Sequence, residues 1–295
     1  MTHTHTSKHD GLSPHIRGIL ITLMGALLMS FDPIFIRLSG VGGFDTAFLF
    51  GLFTAVSMPV FIQMRDKRGV NGTLKESGWP VVLSGLLMLG SATCLVLSIK
   101  STSIANTFVI LSTSPALAAL FSWVFLREIT RRSTWIAIGA VMIGIAIVVS
   151  GSVGSGSLIG DIYAFAAVSF LSLNQTLLRK FQGVSRMASV GMGGLFLALA
   201  MAFFAEPSSY SANTWIIMGV MGLFTAPFGR VLSQVATRYI TAPEVGMILM
   251  IEVVFAPLLA FAAFGEIPPV ASFAGGAVIL IAIVTYAVTT FQKDG

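Results

Sequence analysis

Three ionisable side chains stand inside long apolar runs of this 295-residue chain: Asp32, Arg230 and Glu252. A charge at the centre of a bilayer costs roughly 2.5 to 3.5 kcal/mol on insertion scales. Such residues are expected to face a bundle interior or a wet cavity, where they can hold a polar solute or one another. Helix rise places Arg230 and Glu252 at a common depth, about seven and about eight residues (~10 and ~12 Å at ~1.5 Å per residue) from the same end of two sequence-adjacent runs. Either alone would be an uncompensated buried charge, so the two are expected to pair. The pair would brace the bundle or take the two ends of a zwitterion, carboxylate to Arg230 and ammonium to Glu252.

Asp32 precedes Pro33, and a proline leaves the carbonyl four residues earlier, here that of Met29, without its helical partner. Pro115 does the same to Leu111, and Pro227 to Leu223. Inside a membrane those groups must be satisfied by neighbours, water or a ligand, so these are hinge or binding points, or simply tolerated kinks. Asn174 and Gln175 occupy the place in the sixth apolar run that Asp32 holds in the first. These positions suit gates or cavity rims in two access states, or a polar network that locks helix packing. Asn106, Ser112, Ser114 and Gln234 would extend a cavity lining if they share its face.

Other chemistries find little footing. His3, His5, His9 and His15 all precede the first apolar run, and no HExxH or cysteine cluster supplies a metal site. No Walker-type loop is present, and no cofactor is expected. Cys94, the one cysteine, can form no internal disulfide and is assigned to packing. The 23 Phe and 14 Met would favour an apolar or aromatic cargo if they lined a cavity, but lipid contact and core filling account for them equally. Trp79, Trp135 and Trp215 begin apolar runs and suit interfacial anchoring, whereas Trp123 lies deeper and is a cavity candidate.

The elements that carry these residues follow from composition. With 55% hydrophobic and 10% charged residues and a mean hydropathy of +0.91, the chain belongs in a bilayer, since soluble domains carry roughly 25% charged residues. Runs near 16–37, 44–64, 79–98, 104–126, 133–150, 159–179, 188–204, 215–237, 244–264 and 270–290 each approach the ~20 residues a spanning helix needs. They lack the alternation of a membrane barrel. The expected fold is therefore an all-α integral membrane protein with ten transmembrane helices. All but Arg37, Lys100 and Arg230 of the 17 Lys and Arg fall in the tails and connections of one side. That asymmetry marks orientation, with both termini cytoplasmic, and not nucleic-acid binding. Small residues at Ala140 and Gly144, and at Ala271, Ser272, Gly275 and Gly276, suit tight helix contacts within the bundle or between protomers.

Sliding the sequence by about 138 to 142 positions superposes Gly18 on Gly160, Arg37 on Arg179, Lys100 on Arg238, Ser114 on Glu252 and Glu128 on Glu266. Beyond a 1–15 tail, the two copies are 16–150 and 159–290, joined by the Ser/Gly-rich stretch 151–157. Five spans is an odd number, so the second copy enters the membrane upside down, giving two inverted five-helix repeats. Such an arrangement lends similar energies to inward-open and outward-open packings, which suits alternating-access transport. A channel is the first rival and a membrane-embedded lipid-modifying enzyme the second. The second copy has Val253 where the first has Pro115, its own proline falling at Pro257, so the kinks are expected to differ between copies.

The stretches Leu111 to Leu120 with Leu126-Arg127-Glu128-Ile129-Thr130, and Met250 to Pro257 with Phe264-Gly265-Glu266-Ile267, resemble the paired signatures of EamA domains. The resemblance covers residues 18–290 and implies the drug/metabolite transporter superfamily, with ten helices and small organic metabolites as cargo. In length and short loops the chain is most similar to YddG-type exporters of aromatic amino acids. That likeness implies a multi-pass protein of the bacterial inner membrane whose partners are a small-molecule substrate and the lipid bilayer.

Overall fold

The computed structural model describes residues 13–101, 107, 110–150, 158–265 and 270–294, and the described residues contain helices and turns but no strand. In order these are α1 (Pro14–Met29), α2 (Asp32–Leu38), α3 (Gly43–Arg65), α4 (Gly69–Ser77), α5 (Trp79–Ser101), α6 (Ser114–Leu126), α7 (Arg132–Ser150), α8 (Leu158–Lys180), α9 (Arg186–Met201) and α10 (Ala212–Val220). A π-helical segment, Met221–Thr225, leads into α11 (Ala226–Ala236), followed by α12 (Ala242–Leu249), α13 (Glu252–Phe264) and α14 (Val270–Asp294). Among the described residues, five stretches are long and apolar enough to cross a membrane: Pro14–Leu38, Gly43–Arg65, Trp79–Ser98, Leu158–Lys180 and Ala212–Ala236. The helices Ser114–Leu126, Arg132–Ile147, Arg186–Met201 and Phe273–Thr289 are apolar but shorter.

The three singled-out prolines each sit just beyond an interruption of the α-helix. The α1–α2 break falls at Ser30–Phe31 before Pro33, the chain turns at Ser112–Thr113 before Pro115, and the π segment ends before Pro227. Each proline removes the amide that would have closed the preceding turn, so the chain relaxes there. The expectation for the second copy needs correcting. Its break falls at Met250–Ile251 and puts Glu252 first in α13, the register that Ser114 has in α6, although no proline stands at 253. There the backbone tightens instead, with Met250, Ile251, Val253 and Val254 each donating three residues back.

Contacts between connections define two faces. On one, Ser185 N–H donates to Ser77 Oγ, Arg179 reaches Glu128, His15 lies 3.4 Å from Glu244, and Tyr286 bonds Glu244. This is the basic face. On the other, Tyr210 O–H donates to Asp45 at 2.7 Å, Thr214 Oγ1 to the Ser39 carbonyl at 2.8 Å, Phe44 stacks on Phe204, and Arg37 lies over the Phe264 ring.

Close packing depends on glycines where helices cross. A Cβ at Gly25 would fall 2.9 Å from the Gly229 carbonyl, and one at Gly144 2.9 Å from that of Gly275. These contacts draw α1 against α11 and α7 against α14, the latter within the small-residue stretches noted above. Outside, Met24, Val56, Ile136, Ile143, Ile216 and Ile281 present an apolar surface suited to lipid chains. Trp79 and Trp135 are exposed at helix starts. Trp123 is 62% exposed on the outward side of α6, so it is not a cavity residue as expected. Its deep position in the run says nothing about which side of the helix it occupies.

Candidate functional site

The ionisable residues meet where helices break. Asp32 is the first residue of α2, and Arg230 lies one turn into α11 beyond the π segment. Arg230 Nη1 donates to Asp32 Oδ2 at 3.0 Å and to the Ala226 carbonyl at 3.2 Å, and its guanidinium lies 4.5 Å from the centre of the Phe50 ring. The pair is largely removed from solvent, with side-chain exposures of 13% for Asp32 and 30% for Arg230. Asp32 Oδ1 is buried without a hydrogen-bond partner. Glu252, first in α13, lies in electrostatic range of both and has no ion-pair or hydrogen-bond partner among the described residues.

Arg230 therefore pairs with Asp32 and not, as expected, with Glu252. Adjacency in sequence misled the depth argument, because α11 packs along α1 through the Gly25–Gly229 approach while α13 packs on α1, α2 and α14. The break after α1 delivers Asp32 to the guanidinium first.

One turn further along α11, Gln234 shares the face of Arg230. Its Nε2 donates to Met88 Sδ at 3.4 Å, and its Oε1 is buried and unpartnered. Polar residues of α8 join that helix to α5 and α6, and α5 in turn to α9. Ser84 Oγ donates to Asn174 Oδ1 at 2.6 Å and bonds Ser189, while Ser172 donates to the Ser114 carbonyl at 3.1 Å and lies 3.2 Å from its hydroxyl. Gln175 Oε1 is buried without a partner, close to Gly246. Of the sequence-derived candidates, Asp32 and Arg230 form an ion pair, with Glu252 in electrostatic range of both. Asn174 and Ser114 sit in hydroxyl-rich helix contacts, Gln175 and Gln234 keep orphan acceptors, and Asn106 lies outside the described residues. Phe50, Met88, Ser84 and Ser189 were missed, because one Ser or Phe in an apolar run carries no signal of the face it occupies.

Arg186, counted above among the charges of the connections, is instead 3% exposed. Its guanidinium donates to the carbonyls of Leu178, Phe181, Val184 and Gln234 and to Thr237 Oγ1. Arg179 adds bonds to Glu128 at 3.2 Å and to the Thr237 carbonyl at 3.0 Å, and Arg238 one to the Val184 carbonyl at 3.1 Å. These arginines satisfy carbonyls left open at the ends of α8 and α11 and tie the basic face shut around them. A cleft of about 230 Å³ lined by Arg68, Glu76, Ser185, Arg186, Met187 and Arg238 opens on that face. Nearby, hydrogen bonds from Arg68 hold the half-buried Asp66 carboxyl well below the usual carboxylate range. On the opposite face, burial first and then the bond to Asp45 push the Tyr210 phenol up.

No curated protein matches the sequence. A solved structure described only as a crystal structure of a protein superposes with a TM-score of 0.79 at 18% identity, over 94% of this chain and 98% of the other. At that identity the likeness is one of fold. Residues 16–150, from the first turn of α1 to the end of α7, match the model of the EamA-like transporter family.

Proposed function

We propose that the whole chain is a secondary transporter of small amphipathic metabolites, built as ten spanning helices in two inverted repeats, 16–150 and 159–290. Amino acids, aromatic ones favoured as in YddG-type exporters, are the leading cargo, and export from a bacterial cytoplasm is the direction. The basic face is then cytoplasmic, with both termini on it.

The observation that carries this reading is a buried charged cluster assembled at breaks in two of the apolar helical stretches. Transporters commonly build midplane sites from discontinuous helices in this way. Packing supports the inverted repeat. Exchanging each span with its copy maps the α3–α9, α6–α12 and α7–α14 contacts onto themselves. The same exchange turns α5–α8 into the α1–α11 contact and α6–α8 into the α1–α12 contact. The match of 16–150 to a transporter family points the same way. Asp32, Arg230, Glu252, Gln234 and Gln175 would line the binding region, with Ser114, Asn174 and Asn106 around it.

Counterflow of radiolabelled amino acids in proteoliposomes, with and without a pH gradient, tests the reading. Saturable exchange supports a carrier. Ohmic flux would make the chain a channel, and chemical conversion an enzyme.

A further inference from the structure

Two guanidinium groups stand side by side on the basic face with no acid between them. Arg186 Nη1 and Arg238 Nη2 both donate to the one carbonyl of Val184, at 2.8 and 3.1 Å. The other acceptors of Arg186 are three more carbonyls and the Thr237 hydroxyl, which orient the group but bring no net charge. Arg186 is 3% exposed, so its charge is poorly screened. The carboxylates around the two are taken. Asp66 and Glu76 pair with Arg68, Glu128 with Arg179, and Glu244 is bonded by Thr241 and Tyr286.

Both arginines line the cleft of about 230 Å³. A second hollow of about 500 Å³ adjoins it, sharing Arg68, Ser185 and Met187 and adding Arg65 and Lys67. Arg65, Lys67, Arg186 and Arg238 have no ion-pair partner among the described residues. The lining also holds unspent donors. The first two amides of α9, at Arg186 and Met187, find no acceptor among the described residues, and Ser185 Oγ accepts from the Ala188 amide and so keeps its own proton to give. Ile62, Met187, Val231 and Val235 give the two hollows an apolar side.

We propose that this cleft binds a phosphate group, carried either by an anionic phospholipid headgroup or by a small phosphorylated solute. The phosphate brings the charge that the paired arginines lack. Its oxygens accept from Arg238, from the Ser185 hydroxyl and from the amides that open α9, where the helix dipole also favours an anion. Arg186 adds its charge while its own hydrogen bonds stay on the carbonyls. Because α4, α9 and α11 wall the cleft, the bound group braces the basic face. The site is apart from Asp32, Arg230 and Glu252, and the inference does not rest on the transporter reading.

The test uses the purified full chain. Equilibrium dialysis in a neutral detergent should show saturable binding of radiolabelled inorganic phosphate. Arg238→Gln removes an exposed side chain with one bond to the protein and should weaken that binding about tenfold or more, whereas Arg17→Gln, at an exposed position of α1, should leave it unchanged. In phosphatidylcholine nanodiscs the phosphate should bind as in detergent. Its displacement by phosphatidylglycerol added to the discs assigns the site to a phospholipid, and its retention assigns it to a soluble phosphate. Where the lipid alone binds, the labelled phosphate stays free and phosphatidylglycerol raises the unfolding midpoint of the wild type but not of Arg238→Gln. Neither phosphate binding nor a raised midpoint, or effects equal in the wild type and Arg238→Gln, overturns the proposal. So does displacement by equimolar chloride, which would mark a bare counter-ion.

Discussion

Neutralising Arg230 should unmask the electrostatics of the whole cluster. Arg230→Met leaves Asp32 and Glu252 facing each other with no cation, and removing one partner of a buried pair costs about 3 to 5 kcal/mol. The 30% exposure of Arg230 places the expected loss near the lower end, about 3 kcal/mol. Adding Asp32→Asn removes the orphaned partner and should recover most of it. A double-mutant cycle should therefore give Asp32 and Arg230 a coupling of about 2 kcal/mol, and Arg230 and Glu252 less than about 1 kcal/mol. Stability can be followed through Cys94, the one cysteine and half-buried in α5, whose reaction with a fluorogenic thiol reagent reports unfolding in detergent. A coupling below about 0.5 kcal/mol for Asp32 with Arg230, or a larger one for Glu252 with Arg230, would refute the pairing.

Three further outcomes are expected. Gly25→Val should destabilise by about 1 to 3 kcal/mol, because its Cβ would meet the Gly229 carbonyl at 2.9 Å, while Gly139→Ala, which has nothing within 4 Å, should be close to neutral in the same Cys94 assay. Arg186→Met strips the donors from four carbonyls and a hydroxyl and should lower the unfolding midpoint more than Arg186→Lys, which keeps the charge and three donors. Equal losses would mean that charge alone matters there. In a Cys94→Ser background, Ser209→Cys should react with an impermeant thiol reagent added outside intact cells and Ser133→Cys should not. The reverse pattern would invert the assigned orientation.

The charged residues inside apolar runs were legible from the sequence because burying charge is costly wherever the chain folds. The breaks before Pro33, Pro115 and Pro227 were legible because each proline lacks an amide. What escaped depends on neighbours distant in sequence. The partner of Arg230 is fixed by α1 packing along α11, and no depth arithmetic on α11 and α13 contains that helix. The break before Glu252 has no proline to announce it, and Arg186 read as a surface charge until carbonyls from two helix ends closed around it. Ser84 and Ser189 look like any serine in an apolar run, yet they face each other beside Asn174.

The central claim, that Asp32, Arg230 and Glu252 form the cargo site of a carrier, is tested most directly by counterflow into proteoliposomes that hold wild type, Asp32→Asn or Glu252→Gln at equal folded amounts. The account predicts saturable exchange of an amine-bearing cargo by the wild type and a loss of about tenfold or more in each variant, as expected for a binding interaction of roughly 1.4 kcal/mol or greater. Undiminished exchange in both folded variants would contradict it.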